Sequence, residues 1–537
     1  MKNLKKYMCR SDLTTQKNFR YDKIYENKQK GHVKMRESGM LFPIFSLPSR
    51  FGIGSFSREA YEFVDFLEKA GQGYWQILPV GPTGFGNSPY QPFSAFAGNA
   101  YFISPETLIE EGLLTWDEAN ALSFGSDEEK VDYGALYENR PVILKKAYAR
   151  FAQKEDEKSA YEEFLEREAY WLKDYALFTA IKDEQGGASW LTWEDAIRTR
   201  KQEALAAARE RLSEELSYVY FVQYEFDKQW RKLRKYANSK NVKIIGDLPF
   251  YVSMDSADAW SHPEVFQMDE DLVPKVVAGC PSDAFSRTGQ LWGNPIYDWE
   301  ALKEKGYDWW VKRMRRNYEF LDVIRIDRFH GFCDYYAIPY GDETAENGTL
   351  KKGPGIDLFD ALKKELGQLR IIAEDLGNNT PENVKLLADT GFPGMKVLQY
   401  GFTSWDSCYV NHRHINNCVV YTGTHDNTPT RAWIEEINDG EREFTRSYIN
   451  SVNTDYGQFV WDFIREAYRS VADLCIIPLQ DYLCKGREAR INTPGSAEGN
   501  WQWRLRPHFL SDDLAGSIRR MTEVYSRIPK EPEQADA

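Results

Sequence analysis

Cysteine is scarce in this chain of 537 residues. Its seven cysteines are scattered, odd in number and free of C-x-x-C spacing, which argues against both a disulfide framework and a zinc-binding module. Scattered thiols are typical of a reducing compartment, so we expect a cytoplasmic protein. Long apolar runs are missing as well, which argues against a membrane span.

Positive charge is also limited. The formal net charge is −14, so no nucleic-acid partner is expected. Residues 1–34 are the exception, with ten Lys and Arg against three Asp and Glu and no apolar stretch typical of a secretory signal. We predict a disordered extension there, explained by a start assigned upstream of Met35, a basic arm or a targeting segment. Residues 529–537 are predicted to be a C-terminal tail.

Lysine is absent from a loop that otherwise resembles a phosphate-binding loop. Residues 81–88 spell G-x-x-x-x-G-N-S, but Asn87 stands where such a loop needs Lys, and Pro92 would break a helix begun behind it. The aromatic, amide and hydroxyl side chains that follow suit an uncharged ligand such as a sugar. The high aromatic content (16 Trp, 32 Tyr and 30 Phe) fits either carbohydrate binding or a large core.

Short, nearly continuous apolar runs recur along the chain, as expected for parallel strands buried on both faces. The eight runs are 39–45, 74–80, 242–250, 321–327, 370–375, 395–402, 418–426 and 474–481. Amphipathic helices are predicted between several of them, for example over 57–71, with Ser57 as N-cap and Gly71 as C-cap. We therefore predict an α/β fold, a (β/α)8 barrel over 35–528, with an open doubly wound sheet as the alternative.

A long segment between the second and third predicted strands, about residues 103–240, is rich in Glu, Lys, Ala and aromatic residues. This composition predicts a large, mainly helical insertion, with a helical stretch over 156–182. The segment shows no internal repeat and no low-complexity linker. We therefore expect it to pack on the barrel.

Three predicted strands end in acids, at Asp327, Asp375 and Asp426. Catalytic groups of barrel enzymes lie at the carboxyl ends of the strands, although an acid there is often only a helix N-cap. Paired carboxylates suit glycoside cleavage, with one as nucleophile and one as acid/base. We expect Arg325 to keep a nucleophilic Asp327 ionised by lowering its pKa. Metal binding is the alternative, but no H-E-x-x-H or D-x-D-x-D-G string accompanies the acids.

Several strings in this order resemble the 4-α-glucanotransferase family (amylomaltase, or disproportionating enzyme) of the α-amylase clan. They are LFPIFSLPSRFGIG, WQILPVGPTG, NSPYQPFSAFAGN, GDLPFYV, AGCPSDAFSRTGQLWGNPIYDW, VIRIDRFHGF, KGPG, IIAEDLG, PGMKVLQY, YTGTHDN and INTPGSAEGNWQWR. The resemblance extends from about Gly39 to Tyr525. Any one string is weak, but their order and spacing are specific.

The resemblance implies a role for each carboxylate of the site. Asp327 matches the nucleophile that forms a covalent glucosyl-enzyme, Glu374 the acid/base and Asp426 a third carboxylate that binds sugar hydroxyls. Asp375 would then be structural. Arg325 and His425 match flanking groups that bind Asp327 and the substrate, respectively.

The resemblance also implies substrate contacts in two loops. Tyr90, Ser88 and the nearby Asn99 belong to a loop at the cleft, where Tyr90 would stack on glucose. Residues 278–295 match a lid over the acceptor side. Its implied contacts are Asp283, Phe285, Gln290 and Trp292, with a buried aromatic role for Trp292 as the alternative.

Three positions depart from the family pattern. The family usually has His and Arg, as in DHFRG, where this chain has Arg328 and His330. These two residue types are therefore exchanged, which puts local contacts in doubt but not the nucleophile. Ser282 stands where a second Pro is common, and Cys484 with Lys485 replaces small residues.

The resemblance implies a cytoplasmic enzyme that transfers segments of α-1,4-glucans and maltooligosaccharides. It requires no metal or organic cofactor, no nucleic acid and no membrane, and it leaves a monomer or a homodimer open. A retaining glucan hydrolase with the same carboxylates and a non-catalytic glucan-binding protein are the alternatives.

Overall fold

The structure is a computed structural model that describes residues 36–84, 86–282, 287–377 and 380–530. The extension predicted over 1–34 lies outside these residues. So does the predicted C-terminal tail, except for Pro529 and Lys530.

Eight parallel strands of the described chain form a closed barrel. The strands are β1 (Glu37–Leu41), β2 (Tyr74–Gln76), β3 (Lys243–Leu248), β4 (Val276–Cys280), β5 (Gln290–Pro295), β6 (Val323–Ile326), β7 (Asp334–Pro339), β8 (Thr349–Lys352), β9 (Ile371–Ala373), β10 (Gly394–Val397), β11 (Cys418–Tyr421) and β12 (Leu474–Pro478). Their order around the barrel is β1-β12-β11-β10-β9-β6-β3-β2. Strand β1 closes the barrel by pairing with both β2 and β12. The predicted (β/α)8 barrel is confirmed, and the open doubly wound sheet is wrong.

Burial on both faces explains the nearly continuous apolar runs of the strands. The barrel interior holds one buried cluster, which consists of Leu41, Ile245, Ile372, Met395, Val397, Val419, Tyr421 and Ile476. Ile244, next to Ile245 on β3, joins the larger core instead, because successive side chains of a strand point to opposite faces. Each predicted run overlaps one barrel strand. The strands are shorter than the runs, since the runs continue into the loops at the carboxyl end of the barrel.

Helices accompany the strands around the barrel. Those outside the segment between β2 and β3 are Arg58–Lys69, Ala257–Ser261, Trp299–Glu304, Asp308–Phe320, Ile356–Leu366, Pro381–Thr390, Thr430–Glu436, Asp439–Ile449, Tyr456–Arg469, Leu479–Tyr482 and Asp512–Val524. The first matches the helix predicted over 57–71, with Ser57 as its N-cap. Its C-cap is Ala70 rather than the predicted Gly71, which follows with a left-handed φ of 68°. No helix of the described chain has both the length and the apolar composition needed to cross a membrane.

The segment between β2 and β3 is mainly helical, as predicted. Its helices are Pro105–Glu110, Trp116–Asn120, Tyr133–Phe151, Lys158–Arg167, Ala169–Glu184, Asp195–Arg198, Gln202–Arg211 and Ser213–Ser239. The stretch predicted over 156–182 is two helices that meet at Glu168. Its carboxylate is buried and accepts hydrogen bonds from Trp171 Nε1 at 2.6 Å and Arg316 Nη1 at 3.0 Å. These contacts hold Glu168 where the two helices join.

A second sheet of four strands was not predicted from the sequence. Its order is β5-β4-β7-β8, and its neighbouring strands are antiparallel. The described parts of the predicted lid over 278–295 include most of β4 and all of β5, so this segment is a β-hairpin rather than a plain loop. The hairpin is anchored by pairing of β4 with β7, from Val276 opposite Pro339 to Gly279 opposite Tyr336.

Candidate active site

The three predicted catalytic carboxylates follow three barrel strands at their carboxyl ends. Asp327 follows β6, Glu374 follows β9, and Asp426 lies five positions beyond the end of β11. Backbone hydrogen bonds fix the first two: Asp327 N donates to Leu248 O of β3, and Glu374 N donates to Ile326 O of β6, both at 3.0 Å. Because parallel strands end at the same face of the barrel, residues far apart in sequence lie around one site.

Arg325 connects two carboxylates inside this face of the barrel. It is only 3% exposed, and its Nη1 donates to Asp247 Oδ1 and Oδ2 at 2.8 and 2.7 Å and to Asp327 Oδ1 at 3.2 Å. Burial acts to lower the pKa of Arg325, but the facing carboxylates outweigh it and raise that pKa. Arg325 therefore stays charged and holds Asp327 in place.

Arg325 is only one of several groups that set the pKa of Asp327. Burial raises the pKa of Asp327 to about 6, and Arg325 acts in the opposite direction without cancelling this effect. The neighbouring Glu374 carboxylate raises the pKa of Asp327 further. Arg325 thus acts to lower the pKa of Asp327 as expected, but that pKa still lies above its ordinary value, because burial of the charge outweighs its attraction to the guanidinium. Asp327 is nonetheless mainly ionised at pH 7.

Glu374 is held by main-chain donors. Its Oε2 accepts from Arg328 N at 2.8 Å, and its Oε1 accepts from Leu376 N at 2.9 Å. The adjacent Asp375 is buried, and its Oδ1 accepts from Met395 N of β10 at 2.7 Å. The two neighbouring acids therefore have different environments, and Asp375 makes the contacts of a structural residue.

The half-buried Tyr90 and the buried His425 stack beside Asp426. Their rings stack with centroids 5.2 Å apart and planes at 14°. Tyr90 OH donates to Asp247 Oδ2 at 2.8 Å and lies 2.9 Å from His425 Nε2, which is 3.4 Å from Asp426 Oδ2. Burial lowers the pKa of His425, although Asp426 acts to raise it. A neutral imidazole with its proton on Nε2 fits these contacts, because Tyr90 already uses its own proton toward Asp247.

A cleft of about 510 Å³ contains most of the predicted site. Of the predicted residues, those that line it are Ser88, Tyr90, Gln290, Trp292, Asp327, His425 and Asp426. A larger cleft of about 680 Å³ lies between residues 48–69, 125–128 and 504–512 and contains none of these groups. Convergent carboxylates with a perturbed pKa define a functional site better than volume alone does, so we assign the site to the smaller cleft.

Some predicted substrate contacts lie elsewhere. Asn99 is buried and is not among the residues that line the cleft; its side chain instead caps a short 3-10 helix by accepting from Tyr101 N at 2.9 Å. The prediction that Asn99 binds substrate is therefore unsupported. Asp283 and Phe285 lie outside the described residues. No helix follows the loop at Gly86, whose φ is 85°, before the short one at Ala100, which agrees with the rejection of a phosphate loop.

Comparison with known proteins agrees with this geometry. The family model described as 4-alpha-glucanotransferase matches residues 42–511. A 4-alpha-glucanotransferase from Clostridium butyricum is 46% identical over 486 residues, which cover 90% of this chain and 99% of that protein. The same enzyme name belongs to a Thermus thermophilus protein that is 42% identical over 505 residues, with 92% and 99% coverage.

A solved structure shows the same architecture. The amylomaltase from Streptococcus agalactiae in complex with acarbose matches with a TM-score of 0.89 and 42% sequence identity, covering 92% of this chain and 100% of that one. The chain belongs to the 4-alpha-glucanotransferase family. The resemblance inferred from the sequence strings is thereby confirmed, and the family match spans every carboxylate described above.

Three residues of this family member's site were not assigned from the sequence. Asp247 is the second-last residue of β3, and its carboxylate accepts hydrogen bonds from both Arg325 and Tyr90. Asn492 Nδ2 donates to Asp426 Oδ1 at 2.6 Å, and Trp501 lies with its ring centroid 5.7 Å from that of Tyr90. An acid within the apolar run at 242–250 was a signal for Asp247. For Asn492 and Trp501, the signal was their position within one of the family-like strings.

The described residues contain no group of three or more His, Cys, Asp or Glu side chains arranged to hold a metal ion. The acids of the cleft are instead bound to arginine, tyrosine, asparagine and backbone donors. These contacts hold the carboxylates in place at the carboxyl end of the barrel.

Proposed function

We propose that this chain cleaves an α-1,4 bond of a glucan and transfers one part to the 4-hydroxyl of another glucan or of glucose. The enzyme would thus be a hexosyl-transferring glycosyltransferase of the 4-α-glucanotransferase type. The convergence of Asp327 and Asp426 in one cleft, with Glu374 bonded to the residue that follows Asp327, carries the proposal. We expect the reaction to take place in the cytoplasm, since Cys333, Cys408, Cys418, Cys475 and Cys484 are free thiols.

In the first step, the ionised Asp327 carboxylate attacks the anomeric carbon of the donor sugar. The glycosidic C–O bond breaks, and Glu374, in its carboxylic acid form, gives its proton to the leaving oxygen. Arg325, held by Asp247, keeps the nucleophile oriented, and Asp426 with His425 faces the hydroxyls of the bound sugar. The product of this step is a glucosyl-enzyme on Asp327.

In the second step, the 4-hydroxyl of an acceptor attacks the same anomeric carbon from the side that the leaving group has vacated. Glu374, now a carboxylate, takes the hydroxyl proton, and the bond to Asp327 breaks with its electron pair returning to the carboxylate. Two inversions at one carbon give net retention. Water in place of the sugar would give hydrolysis, so the relative access of acceptor and water decides the outcome.

Incubation with maltotriose tests the proposal. Transfer predicts free glucose together with a ladder of longer products such as maltopentaose, whereas hydrolysis alone gives glucose and maltose. The Asp327→Asn variant serves as the inactive control and is expected to lose nearly all turnover. A wild-type protein that produces no ladder would contradict the assignment as a transferase.

A further inference from the structure

Arg328, the residue after the proposed nucleophile Asp327, also contacts the proposed acid/base Glu374. Arg328 has a left-handed backbone (φ 53°, ψ 50°) at the start of the short 3-10 helix Phe329–Phe332. This turn directs its N–H to Glu374 Oε2 at 2.8 Å. The backbone at Arg328 therefore fixes Glu374 relative to Asp327 through a main-chain contact that an Arg328→Lys change leaves in place.

The side chain of Arg328 reaches the hairpin that carries Trp292. Its guanidinium carbon lies 3.7 Å from the centroid of the Trp292 ring, the shortest cation–ring distance among the described residues. Trp292 is itself held on β5, since its Nε1 donates to Gln290 Oε1 at 3.1 Å. A planar guanidinium stacks on an aromatic ring while its edge N–H groups stay available as donors, whereas a lysine ammonium has no such plane.

Arg328 and Trp292 are both partly open to the cleft. Arg328 is exposed, Trp292 is half-buried, and both line the cleft together with Gln290 and Asp327. Within the described part of the chain, the Arg328 guanidinium makes no ion pair or side-chain hydrogen bond, so its donors are available to a ligand. The pair thus combines an apolar ring face with free N–H donors, which are the two kinds of surface that a sugar ring requires.

We propose that Arg328 is a specificity-determining residue whose stack on Trp292 forms the binding wall for the acceptor sugar. The inference rests on the proposed function, because Glu374 serves first the leaving oxygen and then the acceptor hydroxyl. Both oxygens occupy the same side of the donor sugar, and Arg328 contacts Glu374 directly. A wall at this position favours a glucan hydroxyl over water at the glucosyl-enzyme. It is a feature of the position where this sequence exchanges Arg and His relative to its family.

The test uses α-glucosyl fluoride as the donor and maltose as the acceptor. Fluoride release without maltose reports formation and hydrolysis of the glucosyl-enzyme, whereas the maltose concentration at half-maximal transfer reports the acceptor wall. In Arg328→Lys, which keeps the charge but not the planar stack, we expect that concentration to rise about tenfold, equivalent to about 1.4 kcal/mol. Fluoride release without maltose is measured in parallel, so that a loss confined to the maltose requirement is distinguished from a general loss of turnover.

Three further variants make the result specific to the stack. Trp292→Leu should weaken the acceptor to a similar extent, and the double variant should be no worse than either single variant, because both remove one interaction. Arg315→Lys, a change at an exposed arginine of the helix Asp308–Phe320, is the matched control and should change neither quantity.

Three results would overturn the inference. They are equal losses of fluoride release and transfer in Arg328→Lys, an unchanged maltose requirement, or fully additive effects of the two single changes. The proposed function fails in a different way: the wild-type protein itself would then give glucose and maltose from maltotriose without longer products. If the wild type produces the ladder and Arg328→Lys keeps its maltose requirement, only the present inference is lost.

Discussion

The two aspartates that flank strand β6 are expected to respond in opposite directions to the same substitution. Asp327 follows the strand at the catalytic face, and Asp322 precedes it at the other end of the barrel. Changing each to asparagine removes one charge with little change in volume. The two variants therefore compare a carboxylate whose charge lowers the stability of the fold with one whose charge raises it.

At Asp327 the charge costs stability at neutral pH. Burial raises its pKa from 3.8 to about 6, so the folded protein holds this proton more tightly than the unfolded chain does. As pH rises from about 4 to above 6, the folded state loses that advantage, because the unfolded chain ionises at lower cost. At about 1.4 kcal/mol per pH unit, the penalty reaches up to about 3 kcal/mol at pH 7. Asp327→Asn should remove the penalty.

At Asp322 the charge is structural. Its Oδ1 lies 2.7 Å from Arg234 Nη2, while its Oδ2 accepts from Asn238 Nδ2 at 2.9 Å and Ile244 N at 2.8 Å. Its side chain is 16% exposed and that of Arg234 is 20% exposed. Asparagine in its place loses the ion pair and presents N–H groups to existing donors. We expect a loss of about 1–3 kcal/mol.

Urea unfolding at two pH values, with activity on maltotriose, measures both effects. At pH 7 the urea midpoint of Asp327→Asn should rise, with a gain of up to about 3 kcal/mol in the free energy of unfolding. Its turnover should nearly disappear. At pH 4.5 the gain should shrink to about a third of that, because Asp327 is already protonated in the folded protein. Asp322→Asn should unfold earlier at pH 7 yet keep its turnover. An Asp327→Asn protein that is no more stable than the parent at pH 7, or equally stabilised at both pH values, would refute the argument.

Further outcomes follow from the other contacts of the site. The rate at limiting maltotriose should fall as pH drops through about 6, since Asp327 must be ionised to attack; a rate that stays flat down to pH 4.5 would contradict this. Glu374→Gln should lose activity on maltotriose severely, yet still load from glucosyl fluoride and show a glucosyl adduct by mass spectrometry. Asp247→Asn should lower both the rate, about tenfold or more, and the urea midpoint, because it deprives the buried Arg325 of its closest partner; parent-like values for both would show that Asp327 alone suffices.

The barrel was predictable because all its strands share one pattern, a short run of apolar residues. Each of the eight runs had to be apolar on both faces, and a run such as 418–426 shows this directly in the sequence. The second sheet was not predictable in the same way. Strand β8 is exposed throughout, and β5 is only half-buried, so neither has the apolar pattern of a core strand.

Acids at the ends of predicted strands pointed to Asp327, Asp375 and Asp426, and their place at the carboxyl face follows once the barrel is known. Glu374 came from the resemblance to the family instead, because it stands one position before the acid that ended the predicted run. The pKa of Asp327 was not predictable, because it depends on how deeply the side chain is buried relative to Arg325. The role of Asn99 was not predictable for a similar reason. Its string suggested a sugar contact, but its side chain points toward Tyr101 N and caps a short helix, and the sequence does not show that direction.

Arg328 shows why a sequence departure is hard to interpret before the structure is known. Its exchange with His330 put the local contacts in doubt. The structure shows that the Arg328 guanidinium contacts the Trp292 ring, and that this side chain starts from a left-handed backbone with φ 53°. The main chain of Arg328 contacts Glu374 and its side chain contacts Trp292, so under our proposal one position serves both the acid/base and the acceptor sugar. On that reasoning, a side-chain substitution at position 328 should change the acceptor requirement while the carboxylates keep their positions.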